Sequence, residues 1–86
     1  MTKKFIAKKY LRDRIDFQCL KTDWKNSWIK DKPIEYLFYN GLASKYCNYE
    51  LMSAAIEKAG YKHKTADRTW QTIIDARNEL ILEFLN

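Results

Sequence analysis

Apolar side chains recur along this chain at the three- and four-residue intervals of a helix. In the first segment Ile6, Tyr10, Phe17, Leu20, Trp24 and Trp28 follow one another at spacings of three, four or seven, with Asp13 the one polar intruder. Leu11, Ile15 and Cys19 form a second row at four-residue steps. Two rows on one helix predict packing against neighbours on both sides. Ile15-Asp16-Phe17-Gln18-Cys19 also alternates as a strand does, so residues 12–20 stay open between the two, with helix preferred. A break is expected near Thr22-Asp23, where either residue can cap a second helix.

Pro33 suits the first turn of a further helix with Ile34, Leu37 and Phe38 facing inward, and Asn40-Gly41 suits its end. The same Asn-Gly pair can turn a hairpin, so 34–43 is also open between helix and strand. Leu42, Tyr46, Tyr49, Met52, Ala55, Ile56 and Ala59 keep helical spacing up to Gly60, and Asn48 can divide that stretch by capping. The last helix is predicted over 66–84, capped by Thr65 or Asp67. Trp70, Ile73, Ile74, Leu80, Ile81 and Phe84 line its apolar face, and the first five of them are expected to be buried. Asp67, Gln71, Asp75, Glu79 and Glu83 make an acidic row on the other side, read as a solvated face. The expected fold is all-α, a small bundle of three to five helices in a single helical domain spanning 1–86, with a helix-turn-helix among its options.

Composition supports that expectation. With 86 residues the chain suffices for one domain, and a domain that small buries roughly 60% of its unfolded surface. Hydrophobic residues make up 47% of it, too many for intrinsic disorder. Two glycines and one proline are too few for a turn-rich sandwich or barrel. The basic start resembles a secretion signal, but lysines interrupt its apolar part after Phe5-Ile6-Ala7. A cytoplasmic protein with no membrane association is therefore expected. Cys19 and Cys47, two lone thiols without framework spacing, fit a reducing compartment.

Charge is unevenly spread. The net charge is +5, and residues 1–32 alone carry ten basic and four acidic side chains. Attraction for phosphate would come mainly from that first third.

Little in the sequence points to catalysis. His63 is the only histidine, and Cys47 lies sixteen residues before it without an activated-thiol motif. The cysteines and histidine lack the paired short spacings of zinc ligands, and two isolated glycines cannot cradle a phosphate. No enzyme activity, cofactor, metal or small-molecule substrate is expected. Arg77 falls at the centre of the last apolar stripe, where it must pair, stack or reach solvent along its stem, or else contact a partner. Trp24 and Trp28, four residues apart among Lys21, Lys25, Lys30 and Lys32, can cover the core, stack on exposed bases or anchor a partner.

Two stretches resemble helix-turn-helix proteins. Leu42-Ala43-Ser44-Lys45-Tyr46-Cys47-Asn48-Tyr49-Glu50-Leu51-Met52-Ser53-Ala54-Ala55-Ile56 is similar to the motif of bacterial and phage regulators, with a turn one residue short and with Glu50 and Glu57 on its second helix. Ala54-Ala55-Ile56-Glu57-Lys58-Ala59-Gly60-Tyr61-Lys62-His63-Lys64-Thr65-Ala66 looks like the motif of phage terminase small subunits, with one residue inserted. The second resemblance implies that 66–84 is the recognition helix, approached by Lys62, His63, Lys64, Thr65, Arg68 and Thr69. The nucleic-acid-binding residues expected are then Lys3, Lys4, Lys8, Lys9 and Arg12 on the first helix, with Lys62, His63, Lys64, Thr65 and Arg68 at the later turn. The competing expectation is a protein-binding modulator of the phage-inhibitor type. It would dock on an acidic surface through Trp24, Trp28 and Arg77.

Overall fold

The computed structural model describes residues 2–63 and 66–85. Among the described residues six α-helices follow in order: α1 (Lys3–Arg12), α2 (Phe17–Lys25), α3 (Tyr36–Tyr39), α4 (Leu42–Tyr46), α5 (Tyr49–Ala59) and α6 (Asp67–Leu85). A single 3-10 turn, Trp28–Asp31, lies between α2 and α3. No strand occurs among the described residues, and the fold is an all-α bundle.

Side-chain caps set the starts of α1, α2 and α5. Thr2 Oγ1 accepts from Phe5 N at 3.1 Å at the head of α1, and Asn48 Oδ1 accepts from Leu51 N at 2.9 Å at the head of α5. Two glycines in the left-handed region, Gly41 at φ 72° and Gly60 at φ 82°, end α3 and α5. At Gly41 the chain enters α4 directly, so the hairpin alternative for 34–43 does not form.

The first break falls earlier than the sequence predicts. The chain leaves α1 at Asp13, and Asp16 starts α2 by accepting from Cys19 N at 3.1 Å. Thr22 and Asp23 lie inside α2. The Thr22 hydroxyl donates to the Gln18 carbonyl at 3.0 Å, and Asp23 turns outward to partners on α4. Asp13, the polar intruder in the stripe, is thus the end of a helix, and the strand alternative for 15–19 is replaced by a capped helix start. At α6, Asp67 is the first helical residue rather than its cap, and Thr65 lies outside the described residues.

Two apolar clusters share α6. Ala7, Leu11 and Ile15 of the α1 region meet Met52, Ala55, Ile56 and Ala59 of α5 and Ile73 and Leu80 of α6. Alanines at 7, 55 and 59 let α1 and α5 approach closely. Leu20, Ile29, Leu37, Ala43 and Ile81 form the second cluster under α2, the 3-10 turn, α3 and α4. Each fully enclosed Leu or Ile contributes about 1.5–3 kcal/mol of burial. The apolar face of α6 differs from expectation at two places. Trp70 and Ile74 are only half-buried at the rim, while Ile73, Leu80 and Ile81 are enclosed. Trp70 instead stacks its ring on Tyr49, centroids 5.0 Å apart. Among the described residues no helix is long and apolar enough to cross a membrane.

Candidate nucleic-acid interface

The basic residues of α1 divide between two faces. Lys4, Lys8 and Arg12, at four-residue intervals, lie along one side of the helix and meet Glu79 and Glu83 of α6. Lys4 Nζ is 3.0 Å from Glu79 Oε1, and Lys8 Nζ is 3.5 Å from Glu79 Oε2 and 3.1 Å from Glu83 Oε1. Arg12 Nη2 reaches Glu83 Oε2 at 4.0 Å. The hydrogen bond from Lys4, and the charges of Lys4 and Lys8, hold the Glu79 carboxyl below its ordinary range. Half of the acidic row is therefore a helix–helix contact and not simply a solvated face. Lys3 leaves this side and sits 5.6 Å over the Tyr61 ring, and Lys9 opens onto a shallow groove shared with Phe5, Arg14 and Lys58. The five residues do not make one free positive patch.

At the later turn Lys62, His63 and Arg68 are exposed, while Lys64 and Thr65 lie outside the described residues. Each helix-turn-helix register falls on two successive helices: α4 and α5 for the first, α5 and α6 for the second. Their outward faces are poor in cations. On α5 the exposed residues are Tyr49, Glu50, Glu57 and Lys58, and on the first half of α6 they are Asp67, Arg68, Gln71 and Asp75. A phosphate backbone laid along either helix meets more carboxylates than ammonium groups.

Besides Phe5 on α1 and Tyr49 on α5, three exposed aromatics lie together on the segment from the 3-10 turn to α3. Trp28 is 67% exposed, Tyr36 40% and Tyr39 85%. Their rings run edge to face, with centroids 6.4 Å apart from Trp28 to Tyr36 and 6.5 Å apart from Tyr36 to Tyr39. The local backbone explains the placement. The 3-10 turn buries Ile29 and leaves Trp28 outside, and α3 buries Leu37, which turns Tyr36 and Tyr39 outward three residues apart. Lys25, Lys30 and Lys32 are exposed on the same segment, and none of them has an ion-pair partner among the described residues. A contiguous group of exposed large aromatics is what marks a contact surface on a small protein.

Trp24 belongs to the fold instead. It packs half-buried on the second cluster, and its indole Nε1 is enclosed without a hydrogen-bond partner. Sequence reasoning singled out Trp28 but missed Tyr36 and Tyr39. The signal available was that Leu37, as the inward residue of a one-turn helix, leaves positions 36 and 39 for solvent.

A second-layer contact braces this end. The Tyr46 hydroxyl of α4 donates to the Asp23 carboxylate of α2, and Lys45 Nζ lies 3.1 Å from Asp23 Oδ2. The hydrogen bond from Tyr46 and then Lys45 hold Asp23 below the carboxylate range, and the same bond pushes the Tyr46 phenol up to about 12.

The nucleophiles are not activated. Burial pushes the Cys47 thiol up to about 11, the nearby Arg77 charge offsetting this only in part. The hydrogen bond to Asp16 likewise raises the exposed Cys19 thiol. No group of three His, Cys, Asp or Glu side chains able to hold a metal occurs among the described residues. Arg77 is 7% exposed at the junction of α4 and α6. Its Nε donates to Asn78 Oδ1 at 3.0 Å and its Nη1 to Ser44 Oγ at 3.4 Å. Comparison with known protein families, curated proteins and solved structures finds no match for this chain.

Proposed function

We propose that this protein is a non-enzymatic binder of single-stranded nucleic acid and that Trp28, Tyr36 and Tyr39 form its contact surface. The observation that carries the reading is the exposed aromatic trio with unpaired lysines on the same segment. Exposed rings give unstacked bases a π-face, worth about 1–3 kcal/mol per base, and neighbouring cations hold the backbone. Lys25, Lys30 and Lys32 supply those cations. Protein-binding surfaces use Trp and Tyr as well, but their cores are depleted of lysine, so the interleaving favours a polyanion.

A single strand suits this surface better than a duplex. Rings can stack only on bases that are already unpaired, and the helices a duplex groove would receive, α5 and α6, present carboxylates at Glu50, Asp67 and Asp75. Lys62 and Arg68 remain available for a strand that extends toward the turn before α6.

Titration with homopolymeric single-stranded DNA and RNA, read by tryptophan fluorescence, tests the reading. Saturable quenching at physiological salt, with the affinity weakened by about 1–3 kcal/mol in Trp28→Ala and the helical circular dichroism kept, supports it. Absence of binding to any single strand at that salt overturns it. Tight retention of the wild type by an acidic protein surface, under conditions where oligonucleotides are not held, would instead assign the aromatics to a protein partner.

A further inference from the structure

We infer that the junction of α4 and α6 is a phosphate-binding site built on Arg77 and Ser44. The inference goes beyond the aromatic surface and does not depend on it. Arg77 is 7% exposed as a residue, so its charge is largely withdrawn from water, and such a charge is ordinarily neutralised by a carboxylate. Here none does so. The three carboxylates in ion pairs among the described residues, Asp23, Glu79 and Glu83, are engaged by Lys4, Lys8, Arg12 and Lys45. Among the described residues Arg77 has two neutral acceptors, the Asn78 amide oxygen at 3.0 Å and the Ser44 hydroxyl at 3.4 Å. The Cys47 thiol next to it stays protonated, because burial raises it, and so supplies no negative charge.

The geometry around the guanidinium leaves one edge free. Nε is held by Asn78 on its own helix, which fixes the plane of the group, and Nη1 shares only the long contact to Ser44. Nη2 has no hydrogen-bond partner among the described residues, yet the enclosed orphan donor among them is Trp24 Nε1, so the outer edge of Arg77 reaches solvent. Ser44 beside it is exposed. A fixed guanidinium edge with an adjacent hydroxyl is a fork that matches two oxygens of a phosphate and adds a third donor. Partial burial excludes competing water and strengthens each of those bonds.

The phosphate can be free inorganic phosphate or a group on a bound strand, and two measurements separate these sources. In the first, wild-type protein labelled with 15N is titrated with sodium phosphate, chloride being exchanged to hold ionic strength constant. The Arg77 Nε–Hε and Ser44 amide resonances should shift saturably, and the melting temperature should rise by several degrees. Arg77→Met should abolish that rise, and Arg77→Lys, which keeps charge without the fork, should lose most of it. No saturable shift in the wild type overturns the site, whether or not the variants fold. A rise of equal size in Arg77→Met also overturns it, since the effect would then be one of general ion exclusion. In the second, oligonucleotide affinity is compared between wild type and Ser44→Ala. A several-fold loss, with inorganic phosphate competing, assigns the site to the strand. Unchanged oligonucleotide affinity together with a saturable phosphate titration assigns it to the free ion.

Discussion

Lys8 of α1 lies between two carboxylates of α6, 3.1 Å from Glu83 Oε1 and 3.5 Å from Glu79 Oε2, across 75 residues of sequence from the first of them. Because Lys4, Lys8 and Arg12 advance along α1 as Glu79 and Glu83 advance along α6, the two helices run parallel where they meet. The densest basic cluster of the chain therefore serves largely to align its first and last helices.

That contact should be pH-dependent. Glu79 has a lowered carboxyl pKa in the folded state, so its contribution is present above the unfolded carboxylate value and disappears as pH falls through the folded one. The pairs are solvent-exposed, so each contributes about 0–1 kcal/mol. Urea unfolding of Glu79→Gln should show a loss of that size at neutral pH that vanishes in acid. A pH-independent difference would mean that packing, not charge, is lost.

Adjacent positions on α6 should respond very differently to truncation. Ile73 is fully enclosed and Ile74 half-buried, so Ile73→Ala should cost about 2–5 kcal/mol and Ile74→Ala distinctly less. Denaturant midpoints at equal slope give the comparison directly. Equal losses would place both side chains in the core.

Trp28 should be dispensable for folding and needed for binding. At 67% exposure its replacement by alanine should change stability by less than about 0.5 kcal/mol while removing about 1–3 kcal/mol of single-strand affinity. Trp24→Phe should behave in the opposite sense, since its ring packs on the second cluster. Paired melting and fluorescence titrations would separate the two roles.

The lysines on the aromatic segment should set the salt dependence. Each phosphate contact on a single strand adds about 0.7 to the slope of log affinity against log salt, so alanine at Lys25, Lys30 and Lys32 together should lower it by about 2. The same replacement at Lys4 and Lys8 should leave the slope near the wild-type value, because Glu79 and Glu83 already neutralise them. A larger effect from the α1 pair would move the strand to the other end of the molecule.

Tyr46 should titrate apart from the other tyrosines. Its phenol is pushed up to about 12 by its bond to Asp23. Its folded pKa is raised, so the stabilisation is full below the ordinary phenol range and is lost as pH rises through about 12. An alkaline absorbance titration should show one late tyrosinate that is missing in Tyr46→Phe. A single common titration would show that the α2–α4 brace does not form in solution.

Much of this architecture was legible along the chain because the signals are local. Asn48, Gly41 and Gly60 act within four residues of themselves, through a cap or a left-handed backbone, and they bound α3, α4 and α5 where the spacing predicts. The enclosed Ile73, Leu80 and Ile81 follow from period alone. Periodicity could not decide what stands opposite each face. Asp13 reads as a polar intruder in one long stripe until the chain leaves α1 there and Asp16 caps α2, and the acidic row of α6 reads as solvated until α1 lies against it. Trp24 and Trp28 have the same residue type and the same lysine neighbours. One packs on Leu20 and Ile29's cluster and the other faces solvent, because the chain tightens into a 3-10 turn between them and α3. Charge pairing, ring exposure and the enclosure of Arg77 all depend on contacts between residues far apart in sequence, and no local pattern encodes those distances.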